Sequence, residues 1–135
     1  IVFTATAGQS SVRWGNTPAA PDPASAFTLA LSASSGNTGS PVTVTVTPTG
    51  GALSAAGTVT LVCTTATLAA TSLSFASGAT EAQTTTLTPS ADGAHVVTMT
   101  NSLSLLNTGS PATYTSITAS VATTATLCVQ RLASL

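Results

Sequence analysis

Few side chains in this sequence could carry chemistry. His95 is the one imidazole, Cys63 and Cys128 are the two thiols, and Asp22, Glu81 and Asp92 are the three carboxylates. A Cys63–His95 nucleophile would need both groups within hydrogen-bond reach, a third group to orient the base, and donors for an oxyanion. No Gly-rich loop and no nearby acid stands ready to supply them. The competing reading is a histidine at the rim of the fold beside a buried thiol, since a structural cysteine packs as a small hydrophobe. The carboxylates are far apart in sequence. Glycoside hydrolysis holds its two acids within about 10 Å, and calcium needs several oxygens from a tight loop, for which no D-x-D pattern exists. They read as solvated turn residues, with Asp92-Gly93 in particular a hairpin turn. A Cys63–Cys128 bridge would be favoured in an oxidising compartment and needs Cα atoms within about 7 Å. Trp14, beside Arg13 in SVRWGN, is either a sugar-stacking platform or an anchor buried against the C-terminal strand or a neighbouring subunit. These residues predict a chain with no catalytic residue, no metal site and no cofactor. It is not expected to be an enzyme.

Composition removes several classes of partner. The chain has 135 residues, of which 4% are charged and 43% hydrophobic, with a net charge of −1. An ordinary domain carries about 25% charged residues. There is no lysine, and the two cations are Arg13 and Arg131. Nucleic-acid binding rests on Lys and Arg neutralising phosphates, and attraction to anionic lipid needs a basic cluster; neither is available. No apolar run approaches the roughly 18 residues of a membrane-spanning helix. The opening IVFTATAG has no basic region or unbroken apolar stretch and does not read as a signal peptide. It also lacks an initiator Met, which implies processing, trimming or renumbering. Polarity must come from Ser and Thr, about a third of the chain.

The elements that position these groups have a period of two. Phe27, Leu29 and Leu31 alternate with Thr28, Ala30 and Ser32. Val42, Val44 and Val46 alternate with Thr43, Thr45 and Thr47, while Val59, Leu61 and Cys63 share one face. Leu73 and Phe75, Thr85 and Leu87, then His95, Val97 and Met99 continue the pattern, and Tyr114 and Ile117 lie in the stretch after Pro111. Successive strand side chains face opposite ways, so these are sheets with one dry face and one Thr-rich wet face. No segment carries a helical stripe. Turn signals every 8–12 residues (SSGNTGSP, TPTGG, ASGAT, PSADG, NTGSP) predict a sandwich. Seven strands are expected, at about 26–34, 41–48, 57–65, 71–76, 82–88, 94–101 and 111–118.

SGNTGSPVTVTVTPTGG, followed by GTVTLVCTTATLAATSLSFASGATEAQTTTLTPSADGAHVVTMTNS, resembles the bacterial immunoglobulin-like (Big-type) domains of bacterial surface proteins and tailed-phage virion accessory proteins. The resemblance covers about 26–118. It implies an all-β, immunoglobulin-like Greek-key sandwich and brings no shared catalytic residues. It also implies that the third and sixth strands are neighbours, which would bring Cys63 towards His95. Thr85 departs from the pattern by holding a core position where a bulky apolar residue is usual.

Both ends carry additional material. Residues 1–16 read as an N-terminal β arm, 17–25 as a Pro-rich, semi-rigid linker, and 119–135 as a C-terminal strand and tail. At about 3.1 Å per residue the linker spans roughly 30 Å, near the length of a sandwich, so the arm could fold back beside the tail. Ile1, Phe3, Val12, Arg13 and Trp14 in the arm, with Leu127, Val129 and Arg131 in the tail, form the expected attachment surface. Three functions follow as expectations. The first is a phage virion accessory subunit, of decoration or fibre type, displaying its sandwich from terminal anchors. The second is a secreted adhesion or carbohydrate-binding module. The third is a filament subunit that donates a terminal strand. The expected partners are proteins, either copies of itself or a host particle, with surface carbohydrate as a weak second ligand. The chain is expected to be a homo-oligomer on the virion surface or, alternatively, at the bacterial cell surface.

Overall fold

Alternating β-branched residues lay the chain out as strands. The structure, a computed structural model, describes residues 20–119. Among these, ten strands run in order: β1 Ala26–Leu31, β2 Ser35–Asn37, β3 Val42–Thr49, β4 Gly57–Val62, β5 Ala66–Leu68, β6 Ser72–Phe75, β7 Gln83–Pro89, β8 Gly93–Asn101, β9 Leu106–Thr108 and β10 Ala112–Ile117. They form two five-stranded sheets, β5-β7-β3-β1-β9 and β2-β10-β8-β4-β6, packed as a β-sandwich. The all-β class expected from the sequence is thus observed. The seven expected strands are the longer elements, and β2, β5 and β9 are additional. The stretch expected as one strand over 26–34 ends at Leu31, and the chain then crosses to the other sheet as β2.

The dry faces meet as alternation dictates. In β3, Val42, Val44 and Val46 are buried while Thr43 is exposed. Phe27, Leu29, Val59, Leu61, Leu73, Phe75, Leu87, Val97, Met99 and Tyr114 complete the core. Phe27 of one sheet meets Phe75 of the other with ring centroids 5.1 Å apart. Burying each such side chain contributes about 1.5–3 kcal/mol relative to leaving it in water. No Asp, Glu, Lys or Arg lies within any of the ten strands. The outward faces are solvated mainly by Thr and Ser, with Gln83 and Asn37 among them and Val62, Val96, Leu106 and Ile117 also exposed.

Thr85 sits in the core because a crossing segment needs its hydroxyl. After β5 the chain leaves one sheet and enters the other as β6, so the intervening N–H groups lose their ladder. Ala69 N donates to Thr86 O at 2.9 Å, and Ala70 N donates to Thr85 Oγ1 at 2.8 Å. A bulky apolar residue at 85 would strand that amide, a loss of about 1–3 kcal/mol.

Asp92-Gly93 does not close a hairpin. β7 and β8 flank it, yet β7 pairs with β3 and β5 in one sheet while β8 pairs with β4 and β10 in the other. The turn carries the chain between sheets.

Registers fix where the chain enters and leaves. Ala26 of β1 lies opposite Thr49 at the end of β3, and β8 begins opposite Ser116 near the end of β10. β7 ends beside the start of β3, with three residues between it and β8. The chain therefore enters at one end of the sandwich, here the lower pole, and leaves at the opposite, upper pole. The pairing at both places is reciprocal. β1 is flanked by β9, the short strand that precedes β10, and β10 is flanked by β2, the short strand that follows β1; both pairings are parallel. Neither terminal strand of the sandwich is an edge strand.

Candidate functional site

His95 stands on the inward face of β8, opposite Tyr114 of β10, and is 2% exposed. Ser116, two residues along β10 on the same face, is fully buried. His95 Nε2 lies 2.8 Å from Ser116 Oγ and 3.1 Å from Ala91 O, and Ser116 Oγ donates to Ala91 O at 2.7 Å. A serine hydroxyl beside an imidazole has the look of a nucleophile and its base. Ala91 O can only accept: Ser116 Oγ donates to it, and His95 Nε2 does so in the tautomer that places its hydrogen there. In that tautomer Nε2 cannot take the serine's proton, and the buried pair ties the turn at 90–92 to β10.

Cys63 and His95 are brought together only indirectly. Thr65 Oγ1 lies 3.0 Å from His95 Nδ1 and 3.9 Å from Cys63 Sγ. The expected rim histidine beside a buried thiol is reversed: the imidazole is buried and the thiol is half-buried, because β4 ends at Val62, one residue before Cys63. Ser116 was missed in the sequence because only the β8–β10 register reveals its partner. Ile117, singled out with Tyr114, points outward and is 60% exposed.

Asp92 does organise its surroundings. Its Oδ1 accepts hydrogen bonds from Thr38 Oγ1, just after β2, and from Thr118 Oγ1, just after β10, the latter at 2.7 Å. The Thr38 hydroxyl foremost, then the Thr118 hydroxyl and backbone, hold this carboxyl below its usual 3.8. Hydrogen bonds to the charged form favour it. Glu81 is exposed in the β6–β7 connection at the lower pole, far from Asp92. Asp22 lies at the lower pole too, where its carbonyl occupies the space a Cβ on Gly51 would need. The Pro-rich stretch is thus docked at its end: Pro23 bridges to Ala52, and Ala24 N donates to Ala52 O at 2.9 Å. Among the described residues no group of three His, Cys, Asp or Glu could hold a metal ion, and no pocket opens.

The expected attachment residues Ile1, Phe3, Val12, Arg13, Trp14, Leu127, Val129 and Arg131 lie outside the described residues, as does Cys128.

No protein-family model matches the chain, and no curated protein matches its sequence.

Proposed function

We propose that the chain is a non-enzymatic structural module set in line between attachments at its two poles, as an accessory subunit of a phage virion. The observation that carries this reading is the opposition of the chain's points of arrival and departure, each on an interior strand. A sandwich anchored at a single base would bring both ends to one pole. The strand order supports the immunoglobulin-like resemblance: β7-β3-β1 face β10-β8-β4-β6, with the third and sixth expected strands adjacent. Thr-covered, charge-free faces suit a module whose sides stay solvated while its ends hold partners.

The other two expectations fit less well. Phe27, Phe75 and Tyr114, the aromatic residues among those described, are all buried, which leaves no sugar-stacking face there. The free sheet edges are β5, β9, β2 and β6, of three or four residues each. A donated strand would find little to pair with, as short edges discourage augmentation. Deleting residues 1–16 tests the proposal. The shortened chain should fold as a monomeric sandwich and lose attachment at the lower pole. Unchanged binding to its particle or oligomer would contradict it.

A further inference from the structure

We infer that the reciprocal pairing of β1 with β9 and β2 with β10 is a tension clamp, loaded in shear when the two poles are pulled apart. This deepens the in-line reading and rests on it for its use; the clamp itself is a property of the isolated chain.

The argument starts from direction. β1 leaves the lower pole and β10 arrives at the upper pole, both running along the line that joins them. A pull on the chain before Ala26 slides β1 along β3, over six residue pairs, and along β9, over three. A pull after Ile117 slides β10 along β8, over five pairs, and along β2, over three. Force along a strand loads all its ladder hydrogen bonds together, whereas force across it opens them one at a time. An edge strand would share that load with one neighbour. Here each terminal strand is held on both sides.

The upper pole carries a lock on the same joint. Thr38 N donates to Ile117 O at 3.0 Å and Thr115 N donates to Ser34 O at 2.9 Å, extending the β2–β10 pairing beyond both ends. Asp92 then grips Thr38 and Thr118 with one carboxylate oxygen, so the two strands are pinned where tension would first part them. Gly36 in the middle of β2 lets the Tyr114 hydroxyl of β10 lie where a Cβ would otherwise sit. Three features that have no part in chemistry thus converge on one joint.

Single-molecule force spectroscopy on the full chain tests this with two pulling geometries. In the axial geometry the handles are the N- and C-termini. In the peeling geometry they are cysteines placed at Ser90 and Ala119, both at the upper pole and outside the Asp92 lock, in a Cys63→Ser, Cys128→Ser background. Axial rupture should need about twofold or more the peeling force, since several pairs yield together. Asp92→Ala, which alters a solvated side chain and should fold normally by circular dichroism, should lower the axial force and leave the peeling force nearly unchanged. Gly36→Ala, which crowds Tyr114 between β2 and β10, should lower the axial force as well. Equal forces in the two geometries would overturn the clamp, as would an axial force insensitive to both substitutions. Attachment lost on deleting residues 1–16 with no axial excess would leave the in-line reading standing and the clamp refuted.

Discussion

Gly36 and Tyr114 occupy one place between them: the tyrosine hydroxyl fills the space a side chain at 36 would claim. Tyr114 is 1% exposed and cannot swing away freely. Gly36→Ala should therefore destabilise the sandwich by about 1–3 kcal/mol, the usual cost of overpacking. Tyr114→Phe removes the obstructing oxygen, so in the double variant part of that loss should return. Urea midpoints for the four members of the cycle give the coupling. A strictly additive result would show that the two residues do not compete.

Val44 and Thr45 test the register. Val44 is fully buried, so Val44→Thr places a hydroxyl in the core at about 1–3 kcal/mol. Thr45 faces outward opposite Ala30 and Thr84, and Thr45→Val should be nearly neutral. Leu61→Ala and Val97→Ala, at fully enclosed positions, should each cost on the order of 2–4 kcal/mol. If chemical denaturation ranked Thr45→Val as the damaging change, every face assignment would flip.

Asp92 makes stability depend on acid. Its carboxyl is held below the ordinary 3.8 in the folded chain, so the unfolded state takes up protons first as pH falls. The contribution is fully present above 3.8 and is lost as pH falls through the lower, folded value. Asn at this position keeps the shape without the charge. The stability gap between wild type and Asp92→Asn should thus be constant near neutrality and shrink in acid. A gap that widens as pH falls below 4 would contradict the assignment.

Ser116 and His95 should prove structural. Ser116→Ala leaves a buried imidazole N–H and a carbonyl with one partner fewer, a loss of about 1–3 kcal/mol. Nitrogen-15 spectra should find His95 Nε2 protonated, donating to Ala91 O and Ser116. A bare Nε2 would make the serine the donor and reopen a nucleophilic reading. A panel of ester, sugar and peptide substrates should show no turnover; turnover abolished by His95→Ala would overturn the non-enzymatic proposal.

The longer strands were legible because alternation is local: Val42, Val44 and Val46 announce a half-buried strand without reference to any partner. β2, β5 and β9 were not, since SGN, ATL and LNT are too short to alternate and exist only because a neighbour offers its edge. Asp92-Gly93 carries the right residues for a tight hairpin, but the choice of sheet is made by packing many residues away. His95 reads as a rim residue because it stands early in its strand. Its burial depends on Thr65, Ala91 and Ser116 arriving from three separate segments, which no reading of residues near 95 could assemble. The opposition of the poles likewise follows from pairing, not from pattern.

Site-specific photocrosslinking in the native assembly tests the in-line arrangement most directly. A benzoylphenylalanine is placed singly at Ala20 at the lower pole, at Ala119 at the upper pole, and at Thr100 on the outward face of β8. The account predicts crosslinks from Ala20 and Ala119 to different surfaces of the neighbouring molecules, and none from Thr100. Crosslinks from both poles to one and the same surface, or capture mainly from Thr100, would contradict it.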